Sequence, residues 1–178
     1  MKLTNIFAIL GVLISVQPVV AQASLNLEED KGSDFNGIEF SYVITNERNE
    51  KDYSRYEVTL QARNVSGCPI IYFSKADEWV TSIFEGDPSA IARFDCTNAT
   101  GRRLTSKGGM VKARPFYVPY QQPGKNDKGE TIYTNVNVQG GYLLRPGESI
   151  SNNIIIITEK GQRPKFKVRP KQFSELAN

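Results

Sequence analysis

Apolar and polar side chains alternate strictly in several segments of the chain. The apolar positions of the first two segments are every second residue: Ile38, Phe40, Tyr42, Ile44 and Tyr56, Val58, Leu60, Ala62. A period of two residues is typical of a β-strand with one buried and one solvated face. The same pattern predicts strands over residues 70–73, 90–96 and 131–138, and a short charged edge strand over residues 165–169.

The stretch from Tyr142 to Lys160 has a different pattern. It contains an apolar pair, a Pro-Gly turn and four consecutive isoleucines, Ile154 to Ile157. Because both faces of the isoleucine run are apolar, the pattern predicts a central strand that is covered on both sides. We expect this strand to pair with the earlier alternating strands, and a charge at Ile155 or Ile156 to abolish folding.

Three segments lack a clear period. Residues 24–37 are acidic and polar and are predicted to be a mobile lead-in, residues 75–83 fit either a strand or one helical turn, and residues 121–129 are predicted to be a polar loop. The acids of residues 30–37 also suggest a calcium loop, but they lack the ligand spacing of an EF-hand. We therefore predict no metal site and no cofactor.

Composition and pattern together favour one fold class. Tyr, Phe, Val, Ile, Thr, Gly and Pro are frequent, as in chains made of strands and turns. We predict an all-β protein in which residues 24–178 form a single antiparallel β-sandwich, immunoglobulin-like in the broad sense, with about seven to nine strands.

The first 23 residues have the features of a secretory signal peptide. Lys2 precedes an apolar stretch from Ile6 to Val20, and Ala21-Gln22-Ala23 fits a cleavage site. The alternative is an uncleaved membrane anchor, which Gln17 and Pro18 disfavour because they interrupt the apolar run. We expect a secreted protein, periplasmic or extracellular, with no stable membrane insertion after cleavage.

Two covalent modifications are suggested by this compartment. Cys68 and Cys96 are the two cysteines of the chain, and a pair in an oxidising compartment predicts a disulfide. Asn64 and Asn98 each begin an N-x-Ser/Thr sequon in a predicted turn. They are either glycosylation sites or ordinary turn residues, and the sequence leaves both interpretations open.

Catalysis has weak support. The chain has no histidine, which removes the usual general base and the commonest metal ligand. A carboxylate-based hydrolase that uses acids among residues 77, 78, 85 and 87 or the N-terminal acids stays an alternative, although adjacent surface acids are usually solvated. We expect a protein that is not an enzyme.

Charge is distributed unevenly along the chain. Residues 24–99 contain 14 acidic and 7 basic residues, whereas residues 100–178 contain 5 acidic and 14 basic residues. Strands from the two parts either interleave, so that the charges cancel locally, or leave a basic face. Such a face would attract acidic partners.

The candidate contact surface is the basic and aromatic segment that begins the second part. Its proposed ligand-binding residues are Arg102, Arg103, Arg114, Phe116, Tyr117 and Tyr120. Exposed aromatic residues provide large contact area at low entropic cost. We expect a secreted, non-catalytic binding or accessory domain for a protein or an acidic glycan. A small secreted enzyme inhibitor is the alternative within binding, and nucleic acid is not expected because no recognition motif is present.

Overall fold

The computed structural model describes residues 24–73, 87, 89–98 and 103–171. These ranges contain strands and turns and no helix, so the predicted all-β class is confirmed. Consequently none of them offers a helix that is long and apolar enough to cross a membrane. The predicted signal peptide, the ambiguous segment 75–83 and Arg102 lie outside the described residues.

Eleven strands are present in the described residues, more than the sequence pattern predicts. They are β1 (Leu25–Leu27), β2 (Ser33–Phe35), β3 (Ile38–Asn49), β4 (Tyr53–Asn64), β5 (Ile70–Phe73), β6 (Ala90–Thr97), β7 (Arg103–Lys112), β8 (Arg114–Lys125), β9 (Thr131–Leu144), β10 (Ser149–Glu159) and β11 (Lys165–Pro170). They form three antiparallel sheets: a first sheet in the order β1-β11-β6-β7, a second in the order β10-β4-β3-β2 and a third in the order β5-β9-β8.

The first and second sheets enclose the hydrophobic core in a sandwich-like arrangement. The ring of Phe40 on β3 meets that of Phe94 on β6 edge to face at 6.2 Å, and the rings of Tyr42 and Phe166 are 4.7 Å apart. The predicted inward positions of β3 and β4 are buried or nearly so. The alternating pattern therefore identified the core faces of these strands correctly.

The acidic lead-in is part of the sheets. Its residues 25–27 form β1, which pairs with β11, and residues 33–35 form β2, which pairs with β3. The prediction of a mobile segment is wrong for these residues. The strands are only three residues long, too short for an alternating pattern to be recognised.

The isoleucine strand, β10, pairs with β4 as expected, but it is the outermost strand of its sheet. Ile156 faces the core and is 1% exposed, whereas Ile155 faces outward and is 57% exposed. The prediction of a central strand covered on both faces is therefore wrong. The four isoleucines show that the segment is a strand, but whether its outer face is covered depends on the other elements.

The predicted disulfide between Cys68 and Cys96 is not formed. Cys68 lies on an exposed turn after β4, whereas Cys96 is buried within β6. A bridge requires two Cα atoms within about 7 Å and side chains that point at each other. An even number of cysteines suggests a pair, but the number alone does not place the two thiols together.

Ion pairs join the acidic part of the chain to the basic part. Arg163 pairs with Glu29 and Glu47, and Arg169 pairs with Asp95. The Lys112 ammonium lies 2.5 Å from the Asp87 carboxylate. Because β11 is inserted between β1 and β6, charges of the two parts cancel locally, as the first of the two interpretations predicts.

The Arg163 cluster gives a testable dependence on pH. The guanidinium of Arg163 donates to both carboxylate oxygens of Glu29, at 2.7 and 2.8 Å. This hydrogen bonding lowers the pKa of Glu29 below its ordinary value. A lowered folded-state pKa contributes stability above the unfolded-state pKa, and this contribution is lost as the pH falls through the folded-state pKa.

We expect Arg163→Gln to lower the free energy of unfolding by about 0.5 to 1 kcal/mol at neutral pH, since the pair is partly solvated. The difference between wild type and variant should shrink as the pH falls from about 5 to about 3. Urea unfolding at both ends of this range measures it, with Lys165→Gln as the control for loss of one positive charge. A difference that is unchanged in acid would contradict the prediction.

Candidate binding arm

The hairpin of β8 and β9 extends beyond the core, and its outer part is here called the arm. The arm comprises residues 117–125 of β8, the turn 126–130 and residues 131–139 of β9, paired from Tyr117 opposite Gln139 to Lys125 opposite Thr131. Nine paired residues give a ribbon about 30 Å long. Most side chains on both of its faces are exposed.

The tip of the arm is fixed by local hydrogen bonds. The Asn126 side-chain oxygen accepts from the backbone N–H groups of Lys128 and Glu130, at 3.0 and 2.9 Å. The backbone of Asn126 also donates to the carbonyl of Glu130. Asparagine stabilises turns in this way because its short side chain reaches the backbone two residues on.

A β-bulge separates the arm from its base. The register moves from Phe116 opposite Gly141 to Tyr117 opposite Gln139, which leaves Gly140 as an extra residue in β9. A Cβ atom at position 140 would lie 2.7 Å from a ring carbon of Phe116, so the ring packs closely over Gly140 and would have to shift to accept a side chain there. Bulges increase twist and re-aim a strand, which is consistent with the arm leaving the core here.

The base of the arm is anchored in the core. Tyr72 of β5 and Leu144 of β9 are buried, and Tyr142 packs against the same cluster. In the described residues, the pairing of β5 with β9 ends at Phe73 opposite Gly141, before the bulge. Among these residues the arm is therefore a two-stranded ribbon held at its base, and such ribbons are marginally stable without additional packing.

The two faces of the arm differ in chemistry. Directly opposed residues of an antiparallel pair project to the same face. The register therefore defines a mainly apolar face, called the apolar face, with Val118, Tyr120, Val136 and Val138 near the base and Ile132 near the tip; the pair Gln122 and Thr134 lies between them. It also defines an amide face, made of Tyr117, Gln121, Tyr133, Asn135, Asn137 and Gln139.

Large side chains on both faces are open to solvent. Tyr120 is 51% exposed on the apolar face, and Tyr117 and Tyr133 are 59% and 66% exposed on the amide face. Three further apolar side chains of the apolar face, Val118, Ile132 and Val138, are also exposed. Exposed apolar side chains grouped on one face in this way make that face a candidate interaction surface.

The arm carries charge only near its tip. Residues 115–124 and 131–144 contain no Asp, Glu, Lys or Arg. The charged residues are Lys125, Asp127, Lys128 and Glu130, which balance each other. The strands of the arm therefore do not form a basic surface that would attract an acidic ligand.

The structure divides the predicted ligand-binding residues among three places. Tyr117 and Tyr120 lie on opposite faces of the arm, and Phe116 is half-buried under the bulge. Arg114 is exposed at the base, where its guanidinium is 3.5 Å from the carboxylate of Glu148. Arg103 begins β7, opposite Thr97. Among the side chains that the structure describes, the two tyrosines therefore do not share a face, and Arg114 lies at the base of the arm.

Sequence reasoning missed the contribution of β9 to this site. The pattern predicts a strand over residues 131–138, but it predicts a loop over residues 121–129. In the structure β8 continues to Lys125 and brings Tyr120 beside Val136. The sequence feature that could have predicted this continuation of β8 is the even spacing of Pro115, Pro119 and Pro123, which is compatible with an edge strand.

The remaining predicted chemistry is not assembled in the described residues. Of the acids proposed for a hydrolase, the N-terminal ones and Asp87 fall within them: Glu28 is bound by Lys31, Glu29 by Arg163, and Asp87 by Lys112 and Ser89. Partial burial acts to raise the pKa of Asp87, but the hydrogen bonds from Lys112 and Ser89 outweigh it and lower the pKa. In the same ranges, no group of three or more potential metal ligands comes together.

The first sequon is part of the folded structure. Asn64 is fully buried, and its amide donates to the carbonyls of Cys68 and Leu144 at 2.6 and 2.9 Å. A glycan would replace one of these amide hydrogens, so the geometry favours the interpretation as a turn residue. Asn98 follows β6, and the rest of its sequon lies outside the described residues.

Comparison with known proteins adds no assignment: no protein-family model, no curated protein and no solved structure matches this chain.

Proposed function

We propose that this chain is an exported, non-catalytic binding domain that docks on a partner protein through the apolar face of its arm. The observation that carries the proposal is a 30 Å ribbon, about as long as a small domain, whose apolar face is open to solvent. The sandwich that holds the ribbon is proposed to be immunoglobulin-like in the broad sense. Its three sheets position the arm and need no disulfide to do so.

The chemistry of the arm favours a protein partner over an acidic glycan. The strands of the arm carry no charge apart from Lys125 at the tip, and branched aliphatic side chains surround Tyr120 on the apolar face. Interface centres are depleted of charged residues and enriched in aromatic ones, and tyrosines often dominate their binding energy. Arg114 lies at the base of the arm, beside this surface. Its charge would help to orient the approaching partner protein more than it would raise the binding affinity.

A neutral glycan on the amide face is the second candidate. Tyr117 and Tyr133 are about six residues apart along the ribbon, with amide side chains between them. Tyrosine rings can stack on the apolar faces of sugars, and amides can hydrogen-bond to hydroxyl groups. A partner protein on the apolar face and a glycan on the amide face predict opposite effects of mutating Tyr120 and Tyr117. Mutation of these two residues therefore distinguishes the two candidate functions.

Tyr120 and Tyr117 form a matched pair for the test. We expect Tyr120→Ser to weaken binding of the partner protein about tenfold or more, because it truncates the centre of the apolar face. Tyr117→Ser removes the same atoms from the other face and should change the affinity less than about twofold. A photo-crosslinking residue at position 120 or 117 in producing cells identifies the partner, and calorimetric titration of the purified pair measures the affinity.

The reverse ranking, with Tyr117→Ser the more harmful variant in titrations of neutral oligosaccharides, would support the glycan. Crosslinking that is absent at both positions would contradict a binding role for the arm. Both variants should retain the unfolding transition of the wild type, since the arm lies outside the core.

A further inference from the structure

In the described residues, no strand pairs with the outer edge of β10. β10 is hydrogen-bonded to β4 along its whole length, from Ser149 to Glu159, and it is the last strand in the order of the second sheet. Within the described ranges, the one backbone bond to its outer side lies at its end, where the N–H of Gln162 donates to the carbonyl of Glu159 at 3.0 Å. The N–H and C=O groups of an unpaired edge are a template for another strand.

β10 lacks the features that normally protect an edge. Residues 149–158 contain no charged residue and no proline, and the pairing with β4 has no bulge. Other edges differ: β1 and β2 have three residues each, the pairing of β7 contains two register shifts, and β8 carries prolines in the arm. Natural proteins use short strands, bulges and prolines to prevent pairing between edges.

The outer face beside this edge is apolar. Ile155 and Ile157 are 57% and 45% exposed, and they follow the polar residues Ser151 and Asn153 on the same face of the strand. On the neighbouring strand the opposed residues are Glu57 and Arg55, which form an ion pair at 2.7 Å. The isoleucines thus form a strip between an ion pair on one side and an open backbone edge on the other.

We propose that two copies of this chain pair antiparallel through β10, around a two-fold axis at Ile155. In this register Ile155 faces its own counterpart, Asn153 faces Ile157 of the second copy, and Ser151 faces Glu159 of the second copy. No two like charges are opposed, because Glu159 is the only charged residue of the strand. The strand is therefore complementary to itself, as a two-fold interface requires.

Pairing would also cover the exposed isoleucines. Ile155 and Ile157 of both copies would form one cluster on the outer face of a continuous eight-stranded sheet, four strands from each copy. A second copy of β10 would do both: it would hydrogen-bond to the backbone groups of the edge, and it would cover the exposed isoleucines. This surface is separate from the arm, so the proposal stands independently of the proposed function.

The test is sedimentation equilibrium of the protein as recovered from expressing cells, over concentrations up to about 1 mM. We expect a dimer whose dissociation constant rises about tenfold or more in Ile155→Lys, because two lysines would then face each other across the axis. Val65→Lys, which places the same charge on another exposed apolar residue, is the control. It should leave the dissociation constant unchanged.

A second measurement fixes the register. In a Cys68→Ser background, Ile155→Cys should give a disulfide-linked dimer under mild oxidation, because directly opposed residues of an antiparallel pair lie within bridging distance. Val65→Cys should not. A protein that is monomeric throughout the concentration range, or a dimer that Ile155→Lys leaves intact, would overturn the proposal.

Discussion

Replacing Ile156 with aspartate is expected to abolish folding, whereas the same replacement at Ile155 should leave the monomer folded. Ile156 is 1% exposed within the core cluster, and Ile155, the next residue, is 57% exposed. A carboxylate at position 156 would be buried without a partner and would cost several kcal/mol, comparable to the whole stability of a domain. At position 155 it would remain in water.

The measurement is urea unfolding of both variants, followed by tyrosine fluorescence and circular dichroism at low protein concentration. We expect no cooperative transition for Ile156→Asp and a loss of less than about 1 kcal/mol for Ile155→Asp. If self-association through β10 contributes at higher concentration, only the Ile155 comparison should change with concentration. Equal loss of stability in both variants would show that the outer face of β10 is covered.

Asn64→Ala is expected to produce the second largest effect, a loss of about 2 to 4 kcal/mol. The Asn64 side chain donates to Cys68 and Leu144 and accepts from the backbone N–H and the hydroxyl of Ser66, at 3.0 and 2.7 Å. It therefore joins the end of β4 to the turn that follows and to the end of β9. Truncation leaves the buried carbonyl of Leu144 without this donor.

Asn153→Ala is the matched control. Asn153 is exposed on β10, where its side-chain oxygen accepts from the hydroxyl of Thr59 at 2.8 Å. Its removal should cost less than about 0.5 kcal/mol, since water replaces the lost partner. If both variants lose a similar amount of unfolding free energy, the hydrogen bonds around Asn64 contribute little to stability. Mass spectrometry of protein made in a glycosylating host should find Asn64 unmodified.

The core strands were predictable because each has one buried face. In β3 and β4 the inward residues Phe40, Tyr42, Val58 and Leu60 alternate with polar ones, and the sequence alone assigns them correctly. The arm was harder to predict. Because it is solvated on both faces, burial imposes no alternation on it, and the prolines of β8 resemble loop residues.

The candidate site was predictable only in part. Tyr117 and Tyr120 were identified from their residue type and their proline neighbours, and both are exposed on the arm. Because they are three residues apart on one strand, alternation places them on opposite faces, but which residues of β9 each one opposes depends on the register, which the bulge at Gly140 shifts by one residue. A single-residue shift exchanges the two faces of a strand, so no property of β8 alone decides which partners its tyrosines have.

The sequence by itself determined that this protein is built of strands, where most of them lie and which of their faces meet the core. These are local properties, since a period of two residues can be recognised within one segment. Only the tertiary structure decided that β10 is an edge, that Cys68 and Cys96 are not joined, and that the acidic and basic parts of the chain neutralise each other. These outcomes depend on which distant segments become neighbours, and neighbours in a β-sheet are set by pairing across the whole chain.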